Sequence, residues 1–330
     1  MRPLAYARVA TIDDAVATVV GGPGRAFLAG GTTEVDLWRL GVTSPELLVD
    51  INDVPLAEVE ETADGGVRIG ALARMTDVAR SPVVRQRYPG LAEALLLGAS
   101  EQLRNMASMG GNLCQRVRCA YFRDVQTACN KRDPGSGCSA LHGFNRGHAI
   151  LGTSDHCIAT HASDAAVALV ALDAELHTVG PNGIRTIAID DFFLLPRDTP
   201  QVEHPLDYGE MIAAIDVPGL PLARTSHYLK LRDRASYEFA LVSVFAAAQL
   251  EDGLIRETRL ALGGVGTKPW RARRAEAVLA GGAASPEAFR AAAEAELADA
   301  VPREHNGFKV ELVKRAIVRA LDQAVAGGMR

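Results

Sequence analysis

Five cysteines fall between residues 114 and 157 of this 330-residue chain: Cys114, Cys119, Cys129, Cys138 and Cys157. The last four follow the pattern C-x9-C-x8-C-x18-C. None of these spacings is the C-x-x-C of a zinc ribbon or a bacterial ferredoxin. The intervening Gly135, Gly137, Gly143 and Gly147 nevertheless permit turns sharp enough to bring distant sulfurs together. Four converging thiolates suit an iron–sulfur cluster. Rival chemistries are a zinc site recruiting His142, His148 or His156, a pair of disulfides, or inert buried thiols. Over residues 116–146, Arg116, Arg118, Arg123, Lys131, Arg132 and Arg146 stand against only Asp124 and Asp133. That excess is expected to lower thiol pKa values and to offset an anionic cluster. Cys114 directly follows a glycine turn and reads as a small packing residue.

A second chemistry is anion binding. The apolar run 26–29 reads as a strand feeding Gly30, Gly31, Thr32, Thr33 and Glu34, with a helix expected over 35–40. Such a turn aims bare backbone N–H groups and a helix N-terminus at an anion, and the threonine hydroxyls add donors. Gly110, Gly111 and Asn112 offer another such turn, although ordinary tight turns share this composition. The chain lacks both G-x-G-x-x-G and G-x-x-x-x-G-K-[ST], so neither a Rossmann site nor a P-loop is indicated. His161 beside Ser163 is a candidate ligand contact. Ser154, Asp155 and His156 are adjacent in sequence and do not make a triad.

The elements that must position these groups follow from patterning. Thr11 and two aspartates open an amphipathic helix that residues 21–24 stop, and a strand follows at 47–51. A strand at 67–71, helices near 76–80, 91–97 and 102–107, and the irregular cysteine segment come next. Ser163 and Asp164 cap an apolar helix at 165–172. A hairpin around residues 181–183 and a strand at 211–217 precede Pro218 and Pro221, which mark a domain boundary. Three strands (226–231, 240–250, 255–262) and then three helical patterns (271–280, 286–297, 311–325) predict an α+β domain with helices on one face of the sheet.

Hydrophobic content of 48%, mean hydropathy of +0.05 and a net charge of -5 fit a folded soluble chain and give no support for a nucleic-acid partner. No apolar run approaches the roughly 18–20 residues of a membrane helix. The first residues lack the apolar core of an export signal, so a cytoplasmic chain is expected. Export would then require a signal-bearing partner.

AGGTTE at 29–34, ASMGGN at 107–112, Ser163–Asp164, Lys230 and ALGGVGTKPW at 261–270 resemble the FAD-binding medium subunit of the molybdenum hydroxylases, the xanthine dehydrogenase and carbon monoxide dehydrogenase family. The resemblance covers essentially the whole chain. QRVRCAYFRD at 115–124, CNKRDPGSGC at 129–138 and CIATH at 157–161 are similar to the flavoprotein subunit of bacterial periplasmic aldehyde oxidoreductases, which adds a [4Fe–4S] cluster.

The resemblance implies an α+β fold with a two-part FAD-binding domain of the PCMH (vanillyl-alcohol-oxidase-like) type over 1–220. Its subdomains would be 1–57 and 58–220, the second holding an iron–sulfur loop at 114–160. A CO-dehydrogenase-flavoprotein-like domain, a three-stranded sheet plus helices, would occupy 221–330. Implied partners are a large molybdopterin subunit, a small [2Fe–2S] subunit and an external acceptor such as ferredoxin, a quinone-linked carrier or oxygen. Implied cluster ligands are Cys119, Cys129, Cys138 and Cys157. Implied FAD contacts are Phe27, Leu28, Ala29, Gly30, Gly31, Thr32, Thr33, Glu34, Ser108, Gly111, Asn112, His161, Asp164, Ile212 and Lys230. Where xanthine dehydrogenases place a Phe beside the flavin, this chain has Gly98. Lys230 would stabilise reduced flavin; its bland alternative is a surface pair with Asp233. Other readings are the flavin subunit of another hydroxylase or of a hydroxybenzoyl-CoA reductase, an independent flavoenzyme, and a zinc-stabilised scaffold.

Overall fold

A computed structural model describes residues 3–328. Strands β1 (Ala5–Arg8), β2 (Arg25–Leu28) and β3 (Leu47–Asp50) form a parallel sheet in the order β1-β3-β2. Thr11 Oγ1 accepts from the Asp14 N–H at 3.1 Å and starts helix Ile12–Val20, whose Ala15 and Val19 pack on this sheet. β1 escapes sequence patterning because its four residues carry no buried face. It is a strand through pairing with β3 rather than through apolar alternation.

Strands β4 (Val59–Glu61), β5 (Val67–Gly70), β6 (Glu175–Gly180), β7 (Gly183–Ala188) and β8 (Met211–Val217) form an antiparallel sheet in the order β4-β5-β8-β6-β7. Helices Met75–Arg80, Pro89–Leu97 and Asp164–Ala171 share its core. Every residue of Asp164–Ala171 is buried, as expected for a helix apolar all round. Short helices at Pro82–Arg87 and Met109–Leu113 were not evident from patterning. The Gly110–Gly111 stretch is therefore a capped helical turn and not an open loop.

Strands β9 (His227–Leu231), β10 (Val242–Glu251) and β11 (Leu254–Gly263) form the expected three-stranded antiparallel sheet, and two-residue β12 (Trp270–Arg271) adds a short fourth. Helices Arg273–Leu279, Pro286–Glu296 and Phe308–Gly328 share a core with this sheet. β10 is apolar on both sides for a visible reason. Val242, Val244, Ala246 and Ala248 pack in the core of those helices, while Phe245 and Ala247 join the core of the preceding sheet.

Residues 114–163 are irregular apart from helix Ala120–Arg123 and an antiparallel bridge between Cys129 and Cys138. The segment is pinned at its far end to the last domain. Ile150 N–H donates to Val265 O at 2.8 Å, Val301 N–H donates to Ile150 O at 2.8 Å, and Leu151 bridges Gly266.

Candidate functional site

The turn after β2 has the shape an anion cradle needs. Gly31 sits at φ +69°, and a side chain on Gly30 would collide with the Met106 carbonyl. Thr33, at the N-cap of helix Glu34–Arg39, makes no capping hydrogen bond with its side chain. The hydroxyl remains available, whereas the Val35 N–H is taken by the Gly31 carbonyl at 3.1 Å.

Two cavities meet at this turn. The first, about 310 Å³, is lined by Phe27, Ala29, Gly30, Gly31, Thr32, Thr33, Glu34, Ser108, Gly111 and Ile212. The second, about 460 Å³, is lined by Thr32, Thr33, Gly111, Asn112 and Asp164, with Gly98, Arg118, Tyr237 and Phe239. Thr32, Thr33 and Gly111 belong to both, so one elongated groove bends over the glycine turn. That shape fits a dinucleotide with its diphosphate at the bend. Ser108 caps the neighbouring helix by accepting from Gly111 N–H at 3.3 Å. Ser163 caps Asp164–Ala171 and donates to Asn112 Oδ1. Burial raises the Glu34 carboxyl above its ordinary pKa, with the Thr43 hydroxyl and Arg116 opposing.

Three expected contacts lie outside both linings. Leu28 packs beneath Gly31. His161 is held edge-on to Phe193 at 4.6 Å, and its Nδ1 accepts from Ser163 N–H at 3.3 Å. Burial pushes this imidazole down to about 4. Lys230 does not pair with Asp233, which is taken by Arg146 at 2.7 Å. It donates instead to Asp164 Oδ2 at 2.7 Å and to Leu97 O at 3.1 Å, while Tyr228 OH holds Asp164 Oδ1 at 2.8 Å. The Lys230 and Asp164 side chains are 1% and 9% exposed. Removing one partner of so buried a pair strands a charge. Lys230→Met is therefore expected to cost about 3–5 kcal/mol, read as a lowered denaturant midpoint.

The structure also brings in residues that patterning did not assign to the groove, above all Arg116 and Arg118. Along the irregular stretch 115–119 the residues divide between the groove and another space, Gln115 joining the second cavity. Arg116 reaches the first cavity and Arg118 the second, while Val117 and Cys119 face a separate small space on the other side. That space is lined by Cys119, Cys129, Cys138 and Cys157 together. Cys114 lines the first cavity instead. All five cysteines are free, so the disulfide alternative is not formed. Among the described residues, no group of three or more His, Cys, Asp or Glu side chains is arranged to hold a single metal ion. The sulfurs surround a space without converging on one point.

At Cys119 and Cys157 the expected lowering of thiol pKa does not occur. Burial pushes Cys119 up to about 12 and raises Cys157, although Lys131 opposes the latter shift. The basic residues are occupied elsewhere. Arg116 and Lys131 share the carboxylate of Glu203, Arg118 and Arg123 share Asp36, and Arg132 donates to the carbonyls of Tyr121, Phe122 and Thr127. Desolvation outweighs charge that is already paired.

Residues 2–220 match the family described as "FAD binding domain in molybdopterin dehydrogenase", and residues 227–324 match "CO dehydrogenase flavoprotein C-terminal domain". The chain belongs to the FAD-binding medium subunits of the molybdenum hydroxylase family. Among curated medium subunits and relatives, it is 47% identical to the aldehyde oxidoreductase FAD-binding subunit PaoB of Escherichia coli (strain K12), over 99% of both chains. It is 29% identical to the glyceraldehyde dehydrogenase medium chain of Sulfolobus acidocaldarius, over 82% of this chain and 79% of that one. Among solved structures, a carbon monoxide dehydrogenase from Hydrogenophaga pseudoflava superposes with a TM-score of 0.76 at 28% identity, covering 99% of each chain. The expected fold class is thus the observed one, and this medium subunit carries an FAD-binding domain. Among its described residues, no helix is long and apolar enough to cross a membrane.

Proposed function

We propose that this medium subunit is the FAD- and [4Fe–4S]-carrying electron-transfer component of a heterotrimeric molybdenum-dependent aldehyde oxidoreductase. It would take electrons from a [2Fe–2S] subunit, themselves drawn from a molybdopterin subunit, and pass them to an external acceptor. The observation that carries this reading is that Cys119, Cys129, Cys138 and Cys157 line one space, and that the stretch 116–119 contributes side chains both to it and to the dinucleotide groove. A single zinc ion would draw four sulfurs to about 2.3 Å from one point. A cluster takes each thiolate on a different iron and asks for sulfurs ranged around a space. The 47% identity to an aldehyde oxidoreductase subunit supports the substrate class.

FAD, when bound, supplies one- and two-electron redox chemistry. Residues Gly30 to Thr33 would cradle its diphosphate with N–H groups and hydroxyls, with Arg116 as nearby positive charge. Ser108, Gly111, Asn112 and Asp164 would line its ring end. Lys230 would act through Asp164, whose position it fixes. Cys119, Cys129, Cys138 and Cys157 would hold the cluster as thiolates, and ligation would release their protons. The carbon–hydrogen chemistry belongs to the partner chain, so no acid–base or nucleophile set is assigned here. Division of the chain at residue 220 is part of this reading, supported by the prolines at 218 and 221.

Anaerobic purification followed by an absorption spectrum and iron and sulfide analysis tests the assignment. Flavin bands over a broad visible shoulder, with equal iron and sulfide, are expected. Flavin alone would leave an independent or simpler flavoprotein, and a colourless protein a scaffold. Co-purification of a molybdopterin subunit separates the heterotrimer from the independent enzyme.

A further inference from the structure

His156 lines the cysteine space, but a different imidazole, that of His148, contacts one of its sulfurs directly. His148 Nε2 lies 3.2 Å from Cys119 Sγ, the one side-chain hydrogen bond to a cysteine sulfur among the described residues. The residue is 7% exposed, and its Nδ1 is buried without a partner. The ring therefore has a single hydrogen-bonding neighbour, the sulfur.

The backbone under this ring is held from three directions. His148 N–H donates to Asn145 O at 2.9 Å. Its carbonyl accepts from Lys309 Nζ at 3.0 Å and from Asn306 Nδ2 at 3.3 Å. Lys309, fully buried, also donates to Gly147 O at 3.0 Å and Gly264 O at 2.7 Å. An ammonium satisfied by three carbonyls makes a rigid clamp between the start of helix Phe308–Gly328 and the cysteine segment.

We propose that His148 is a positioning residue for Cys119, donating an N–H···S hydrogen bond from Nε2 that raises the reduction potential of the thiolate-bound cluster. The inference rests on the [4Fe–4S] reading above. A thiolate on iron carries no proton and can only accept, so the one N–H of the neutral ring belongs on Nε2. A donor aimed at a cluster sulfur favours the more negative, reduced state, and hydrogen bonds to sulfur are among the determinants of cluster potential. The proton stays on nitrogen throughout, and only the electron moves.

The test compares wild type, His148→Leu and His148→Gln in the complete assembled enzyme, by iron analysis and EPR-monitored redox titration of the cluster. His148→Leu is expected to keep its iron and shift the midpoint to a more negative potential. His148→Gln, which retains a donor, is expected to restore part of the shift. In wild type labelled with 15N-histidine, pulsed EPR should show weak nitrogen coupling to the reduced cluster. Full iron with an unchanged midpoint in His148→Leu overturns the hydrogen bond and leaves the cluster standing. Should the leucine variant lose iron, the glutamine variant and the nitrogen coupling decide, and loss of iron in both variants or absence of coupling overturns the proposal. Wild type devoid of iron sinks the cluster reading itself, and this inference with it.

Discussion

Cys129→Ser is expected to bring iron from about four atoms per chain to under one. Cys129 is buried, bridges Cys138 across the turn at residues 130–137, and lines the common space with three other sulfurs. A serine hydroxyl keeps the shape but is a far poorer donor to iron than a thiolate. The visible shoulder should vanish with the iron while flavin bands persist, because the groove proposed for the nucleotide shares no lining residue with the cysteine space. Cys114→Ser is the matched control. Its sulfur lines the groove, where burial holds the thiol up at about 12, so iron content should not change. Wild-type iron in Cys129→Ser would refute the ligand assignment.

Gly30→Ala should have the converse effect, weakening flavin binding and sparing iron. A methyl group at this position meets the Met106 carbonyl and the Ala107 Cα, both backbone, so no side chain can swing aside. Overpacking of this kind costs about 1–3 kcal/mol. The strain falls on the turn whose N–H groups would face the diphosphate. If half of the upper figure appears as lost affinity, FAD binds about tenfold more weakly. Flavin per chain after dialysis, with far-UV circular dichroism as a check on folding, measures it. Full flavin retention would place the cofactor elsewhere.

Much of this architecture is legible in the sequence because the physics is local. The cap at Thr11, the cap at Ser163 and the Asp252–Gly253 turn between β10 and β11 each announce themselves through residue type. β1 does not, since a strand without a buried face leaves no apolar trace. The site divides the same way. Gly30 and Gly31 are readable as a tight turn before a helix, whereas the gathering of four cysteines around one space is expected only in the light of resemblance. The pairing of Lys230 with Asp164 is invisible, because 66 residues separate the partners and only tertiary packing joins them. The basic run misleads for a related reason. Composition counts charges, whereas thiol acidity depends on which charges remain free, and Glu203 and Asp36 come from distant parts of the chain.

The stretch from 116 to 119 sends guanidinium groups one way and Val117 and Cys119 the other. The directions of these side chains are therefore tied to the length of the stretch. Adding or deleting a residue there would draw Arg118 out of its cavity or Cys119 out of the space it shares with the other three cysteines, so composition can drift in this stretch more freely than length.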